Sequence, residues 1–541
     1  MLTALLVASI AAVAIVSAAA RSVGAAPSCP STTTPAPPAP TPPTPAPTAP
    51  PPTTSPPVAV HVSDTAVGRP IPPGFVGFSF EYQAVREYTG SNPRAINPVL
   101  VQLIRNLSPG QSPVLRIGGN SADETWWPIH AIRCTPGITY TLTPSWLATT
   151  RALAVKTGGR LVLDLNLKLD SAAEASAEAR AFQTGIGLSN IEAFEIGNEP
   201  ELYPITPYYY EGPNTFPIFP RPRTYHFHAY AQEMTAFSKQ VHGTAFAGPA
   251  TGSFAWLTHL GKLFAAEPGV KIVTYHRYPL IKCFTKPGDP GYPSIPNLLN
   301  PAAARNLLQG AARYIALAHE HHATFRVDEL NSVACKGQAG VSDTFASALW
   351  MVDTLFAMVR SGVDGVNIHT LPEANYHPFT FEQVNGRWQA EVMPEYYGIL
   401  LFTRAAPPGS RLLAVNPPPD PDLRVRATRT PSGQINVVLI NDSLSDAKVI
   451  ELAPPDGASK TAIVEPLTAP SAAATDGVTL AGQSFGDETG TGTLNGSFQP
   501  VHLQPANGQY AVQLPAASAA MVSFAPAAAG SQPHPHTAAL R

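Results

Sequence analysis

Between Gly74 and about Ala405, short apolar runs alternate eight times with amphipathic stretches. That alternation is the strongest constraint on how the chain folds. Parallel strands need a crossover of a dozen or more residues, and helices laid over both faces leave the strands apolar throughout. Strands are expected near Val76–Phe80, Val114–Ile117, Leu161–Leu165, Ala193–Ile196, Ala245–Ala247, Lys271–Thr274, Phe325–Asp328 and Gly365–Ile368. Helices are expected over Ile96–Leu107, Ser171–Thr184, Tyr225–Val241, Pro301–Ala318 and Asp343–Ser361, with N-caps at Thr143 (before Pro144), Ser171 and Ser342. Eight such units are what closure of an α/β (β/α)8 TIM barrel requires, assigned to residues 74–405.

In that fold catalytic groups stand where strands end and loops begin. Strand 4 ends in Phe194, Glu195, Ile196, Gly197, Asn198 and Glu199, and Pro200 follows. Proline cannot donate a ladder hydrogen bond and drives the preceding residue out of the right-handed helical region, so the strand must break where the carboxylate appears. Strand 7 ends in the same way, with Phe325 to Asp328 leading to Glu329. Two carboxyls at equivalent strand ends face one barrel mouth, the arrangement that glycosidic bond cleavage needs.

Here the sequence resembles the retaining glycosidases of clan A, and within them glycoside hydrolase family 79, which holds β-glucuronidases and heparanase. The resemblance rests on Asn198-Glu199, Glu329, Leu115 to Asn120, Tyr275 to Tyr278, Ser342 to Ala346 and Ala374 to His377. It implies that Glu199 is the acid/base, Glu329 the nucleophile, and Asn198 the partner of the sugar 2-hydroxyl. It also implies that Tyr278 hydrogen-bonds Glu329, and that the carboxyls stand about 5 to 5.5 Å apart. In heparanase-like enzymes the loop after the nucleophile binds the substrate's own carboxylate. The corresponding residues are Lys336 and Gly337, running on through Gln338 and Ala339 to Gly340, assisted by Tyr376. Where heparanase has consecutive glycines, this loop has Gly-Gln-Ala-Gly. The implied activity is that of a β-glucuronidase on a carbohydrate with a terminal uronic acid, with no cofactor and no metal. The alternatives are another clan A exo-glycosidase acting on a neutral sugar, or an inactive carbohydrate-binding barrel.

Other residues near the strand ends admit two readings. Glu81 and Asn120 either hold outer hydroxyls of the sugar or satisfy loop backbone. His276 is a cleft residue or a satisfied core histidine, and Trp126-Trp127 is a stacking wall or a packed loop anchor. Arg116 lies inside a strand and is read as the centre of an ion pair beneath the carboxylates.

The flanks differ in texture. Leu2 to Ala20 is almost wholly apolar and small residues follow, so residues 1–26 read as an export signal, with an uncleaved anchor as the alternative. Residues 27–57 are a Pro/Thr/Ala-rich spacer, and 58–73 supply a strand at Val58–Val62 that joins the C-terminal domain. Residues 406–526 show short alternating strands of an antiparallel β-sandwich, at Leu423–Thr428, Ile435–Ile440, Lys448–Leu452, Tyr510–Leu514 and Ala519–Phe524; residues 527–541 read as a disordered tail. The four cysteines allow three pairings, of which Cys283 with Cys335 is favoured. A net charge of -3 with 13% charged residues gives no field for nucleic acid. A monomer, secreted, periplasmic or at the cell surface, is expected.

Overall fold

The structure is a computed structural model that describes residues 56–129, 135–211, 216–416, 418–453 and 458–526. The export signal, nearly all of the spacer, the tail, Cys29 and Cys134 lie outside these residues. Eight parallel strands close a barrel: β1 (Val76–Glu81), β2 (Val114–Gly118), β3 (Arg160–Leu165), β4 (Ile191–Ile196), β5 (Ala245–Thr251), β6 (Val270–Arg277), β7 (Thr324–Leu330) and β8 (Gly365–Thr370). They follow one another around the ring, and β8 returns to β1 with Ile368 opposite Phe78. Every residue of β1 and β8 is buried, as strands covered on both faces require.

The crossover helices follow the apolar spacing, with differences of physical origin. Asn97 caps the helix Pro98–Asn106 by accepting from the Val99 and Leu100 N–H groups. Thr143 and Ser171 cap their helices through Trp146 N and Glu174 N. Ser342 does not cap. Its hydroxyl accepts from Gln338 N, and the helix begins later, at Phe345. The Phe345 and Ala346 N–H groups donate instead to Ala474 and Ala472 carbonyls, so the C-terminal domain satisfies this helix end. The expected helix Pro301–Ala318 is two helices, Pro301–Arg305 and Ala312–Glu320, parted near Gly310, whose φ of +80° ends a right-handed helix.

The C-terminal region is a β-sandwich drawn from both ends of the chain. Its large antiparallel sheet runs Val62–Val67, Arg411–Val415, Leu423–Arg429, Ile435–Asn441, Ser518–Pro526, Ala458–Thr468 and Thr479–Leu480. The facing sheet holds Val58–Val60, Lys448–Leu452 and Tyr510–Leu514; here Val58–Val60 runs parallel to its neighbour. Val438, Ile440, Leu467 and Met521 turn away from the sandwich interior and join the same apolar cluster as the barrel helices, so the two units share a core. Arg426 to Asp353 (2.6 Å) and Arg404 to Glu465 (2.9 Å) bridge the same boundary.

The helices Phe345–Ser361 and Pro394–Ala405 pack most closely at Gly398, where an added Cβ would sit 2.3 Å from the Ala348 carbonyl oxygen. Gly398→Ala should therefore lower stability by about 1–3 kcal/mol, read as a lower denaturant midpoint with unchanged slope. An unchanged midpoint would mean that this helix pair has slack.

Candidate active site

β4 delivers its carboxylate through an unusual backbone path. Gly197 has φ +74°, and a Cβ there would meet the Tyr203 hydroxyl at 2.5 Å. Glu199 itself is left-handed (φ 45°, ψ 55°) and is held there by its N–H on the Ala250 carbonyl (2.8 Å) and by the 3-10 turn Pro200–Leu202 that follows. Such a conformation costs about 1–3 kcal/mol in a non-glycine residue, so the surroundings over-determine it. β7 presents Glu329 from the other side, and both glutamates are buried, each 8% exposed.

His276, near the end of β6, stands between them. Its Nδ1 is 3.1 Å from Glu199 Oε1 and 3.8 Å from Glu329 Oε2. One oxygen of each glutamate and a nitrogen of His276 all lie within 4.8 Å of one another. Glu329 is the better-held carboxylate. Tyr278 donates its hydroxyl to Oε1 (2.8 Å), Arg116 donates Nη1–H to Oε2 (2.9 Å), and His369 Nδ1 lies 3.8 Å away. Burial alone would raise its pKa, but His369, His276, Arg116 and the Tyr278 hydroxyl outweigh burial and hold it well below the usual carboxylate range. For His276 burial works downward, yet the charges of Glu329 and Asp328 and the bond to Glu199 raise it to about 9. The ring is therefore an imidazolium at neutral pH.

Beneath this pair lies Arg116, fully buried on β2. It contacts Asp164 (2.9 Å), Glu195 (2.7 Å), Asp328 (3.1 Å) and Glu329 (2.9 Å), and a further Nη2–H donates to Asn198 Oδ1 (2.8 Å). One cation cannot neutralise four carboxylates in a dry interior. Burial pushes Asp164 and Asp328 well up; against the same burial, Arg116, then Asp164 and His276, bring Glu195 down to about 2. The end of β2 and the residue after it are glycines against crowding carboxylates: a Cβ at Gly118 would sit 2.1 Å from Asp164 Oδ2, and one at Gly119 2.5 Å from Glu81 Oε1.

The remaining sequence-derived residues fall around the same mouth. The Asn198 side chain is fixed by Arg116 on one side and donates Nδ2–H to Asn120 Oδ1 (3.3 Å) on the other. Asn120 is exposed. Glu81 accepts the backbone N–H groups of Asn120 (3.2 Å) and Ser121 (2.8 Å) and the Ser121 hydroxyl, so its carboxylate is engaged with loop backbone. Trp126 is 7% exposed and donates to Thr141, a loop anchor.

Cys283 and Cys335 form a disulfide that ties the loop after β6 to the loop after β7. Beyond it Cys335, Lys336 and Gly337 are all left-handed, and Lys336 O accepts from Asn375 N (2.8 Å), laying this segment against Asn375 and Tyr376. The Gly337, Gln338 and Gly340 N–H groups are already bonded, to Val333 O, Ser342 Oγ and Asp343 Oδ1. Exposed Lys336 and the buried Tyr376, whose ring lies 6.1 Å from that of Tyr278, stand on this side of the mouth.

Sequence reasoning missed Asp164, Glu195, Asp328, His369 and Glu201. The first four share one signal, a charged or polar residue inside an apolar strand run. Glu201 accepts from Gly252 N (2.7 Å), and burial together with the Glu199 charge pushes it up to about 7.

Two carboxyls at the ends of β4 and β7, on a barrel joined to a β-sandwich, are the arrangement that glycosidic bond cleavage needs. Residues 431–521 match the glycosyl hydrolase family 79 C-terminal beta domain. A β-glucuronidase of Neurospora crassa is 22% identical over 409 residues, covering 65% of this chain and 67% of that protein. The chain is thus similar to family 79 glycoside hydrolases. Its fold is also that of a 4-O-α-L-rhamnosyl-β-D-glucuronidase from Fusarium oxysporum 12S (TM-score 0.64, 18% identity, 85% of this chain and 99% of that one). A GH51 arabinofuranosidase from Xanthomonas axonopodis pv. citri shares it too (TM-score 0.60, 14% identity, 86% and 99%).

The His276 charge has a consequence for stability. Its folded pKa of about 9 lies above the unfolded value, so its contribution is fully present below that unfolded value and is lost as pH rises through the folded one. With an unfolded value of about 6.5, stability should decline from neutral to alkaline pH. Denaturant titrations of His276→Gln should show a flatter slope over that window; an unchanged slope would remove the imidazolium.

Proposed function

We propose that the protein is an exported retaining β-glucuronidase that removes terminal β-linked glucuronic acid from glycans or glycoconjugates. The observation that carries the mechanism is the separation of the carboxyls. Oxygens within 4.8 Å suit direct attack, whereas an inverting pair stands about 6.5–9.5 Å apart to admit water. Glu329, held ionised, attacks the anomeric carbon while protonated Glu199 gives its proton to the departing oxygen. The resulting glycosyl ester is opened by water, which loses its proton to Glu199 as the sugar–Glu329 bond breaks.

The imidazolium of His276 suits this cycle. When the ester forms, Glu329 loses its charge and Glu199 gains one, so the cation touching both keeps one anionic neighbour throughout. Asn198, oriented by Arg116, is placed to donate to the 2-hydroxyl, and Asn120 beside it to bind an outer hydroxyl. Glu81 acts in this reading by shaping the loop that carries Asn120.

The uronate preference rests on the Lys336–Tyr376 side of the mouth and on the two relatives named for glucuronidase activity. Since the Gly337, Gln338 and Gly340 amides are bonded internally, the carboxylate is assigned to the Lys336 ammonium and the Tyr376 hydroxyl, with Gly337 allowing close approach of the loop to Tyr376 N (3.0 Å to an added Cβ). Export rests on the apolar run Leu2 to Ala20.

The test is hydrolysis of matched nitrophenyl β-glucuronide and β-glucoside. Wild type should prefer the glucuronide, and Tyr376→Phe or Lys336→Ala should each lower its kcat/KM about tenfold while sparing the glucoside. Equal losses on both substrates would send the substrate to the neutral sugars. Glu199→Gln should slow cleavage of an unactivated glucuronide by about 10²–10⁴-fold and that of an activated aryl glucuronide far less. A uniform loss would deny Glu199 the role of acid.

A further inference from the structure

A third carboxylate stands two residues beyond Glu199, and the fold turns it back onto the same spot. Glu201 lies in the turn Pro200–Leu202 and reaches across to the residue that follows β5. There its Oε1 accepts the Gly252 N–H (2.7 Å), while the Ala250 carbonyl of the same segment accepts the Glu199 N–H (2.8 Å). A Cβ added at Gly252 would lie 3.2 Å from Glu199 Oε1 and 3.6 Å from Glu201 Oε1. Both carboxyls therefore converge on one glycine.

The second oxygen of Glu201, Oε2, is buried without a hydrogen-bond donor. The groups around it do little to balance a charge there. β6 faces it with Tyr275 and with His276, whose Nδ1 is engaged with Glu199 (3.1 Å). Arg277, next on β6, turns Nη1–H to the Tyr275 hydroxyl (3.2 Å) and towards the Gly252 carbonyl (3.5 Å). Tyr230, on the helix Phe227–Ser238, is buried and held neutral by that burial. The charges that act on Glu201 are thus those of Glu199, which opposes its ionisation, and of His276, which favours it. Two like charges this close in a site shut off from water are less stable than one charge and one proton. Burial, and then the Glu199 charge, accordingly push Glu201 up to about 7.

We propose that Glu201 is a positioning residue for the acid/base, holding one proton in common with Glu199 so that the pair keeps a proton to give beside the His276 imidazolium. The proposal rests on the reading of Glu199 as the acid. In the first step the shared proton passes from Glu199 to the departing oxygen and leaves two carboxylates side by side. That crowding is relieved in the second step, when the attacking water gives its proton back to Glu199 as the ester opens.

Two measurements test the pair. In protein labelled with 13C at the glutamate carboxyls, the Glu201 signal is assigned by its loss in Glu201→Gln. Glu199→Gln should move the Glu201 titration about one pH unit lower, because a neighbouring negative charge is gone. An unmoved titration would overturn the proposal, whether or not any sugar is turned over. The second measurement is the pH profile of kcat/KM on phenyl β-glucuronide or phenyl β-glucoside, whichever the wild type cleaves. Glu201→Gln keeps an acceptor for the Gly252 N–H and removes the charge. Its alkaline limb should lie about one unit lower than wild type, with the acid limb unchanged. A loss equal at every pH would make Glu201 merely structural and end the proposal. Should Glu199→Gln itself keep the wild-type alkaline limb, the fault lies in the acid assignment, and the linked titration alone then judges the pair.

Discussion

Arg116 is the interaction on which the site depends. A guanidinium with no exposed surface touches the proposed nucleophile, orients Asn198, and contacts Asp164, Glu195 and Asp328 from three other strands. Burying a charge costs several kcal/mol unless its donors are matched, and here the matching groups are themselves the apparatus of the cleft. With His369, His276 and the Tyr278 hydroxyl, the guanidinium holds Glu329 well below the usual carboxylate range against the effect of burial. Removal of Arg116 would disturb the nucleophile, the Asn198 side chain and the barrel floor together, which is why the cluster resists division into structural and functional parts.

The C-terminal domain belongs to the same machine. Its Ala472 and Ala474 carbonyls cap the helix that follows the nucleophile loop, and its inner residues extend the barrel's apolar core. The disulfide adds a second restraint from the opposite side, fixing Cys335 beside Lys336. The segment that faces Tyr376 is thus braced by a domain, a disulfide and its own amide bonds, so its cation is presented from rigid backbone.

The barrel was legible because its strands are apolar throughout and its helices are not, a contrast that survives in sequence without knowledge of contacts. Glu199 and Glu329 were legible because each ends such a run. The late start at Phe345 was not, since the groups that cap it come from more than a hundred residues downstream. Nor was the left-handed geometry at Glu199 and Lys336, because sequence favours it openly only at glycine. Arg116 could be read as a buried ion pair, but not its partners: Asp164, Glu195 and Asp328 are spread over three strands, and only barrel closure brings them to one point.

The account's central claim is a covalent bond between sugar and Glu329. Incubation with 2-deoxy-2-fluoro-β-glucuronyl fluoride, followed by mass spectrometry of the proteolysed protein, tests it directly. A fluorosugar ester on the peptide that carries Glu329, absent from Glu329→Ala, is the expected result. An ester on another carboxylate, or turnover to an inverted product with no ester formed, would contradict it.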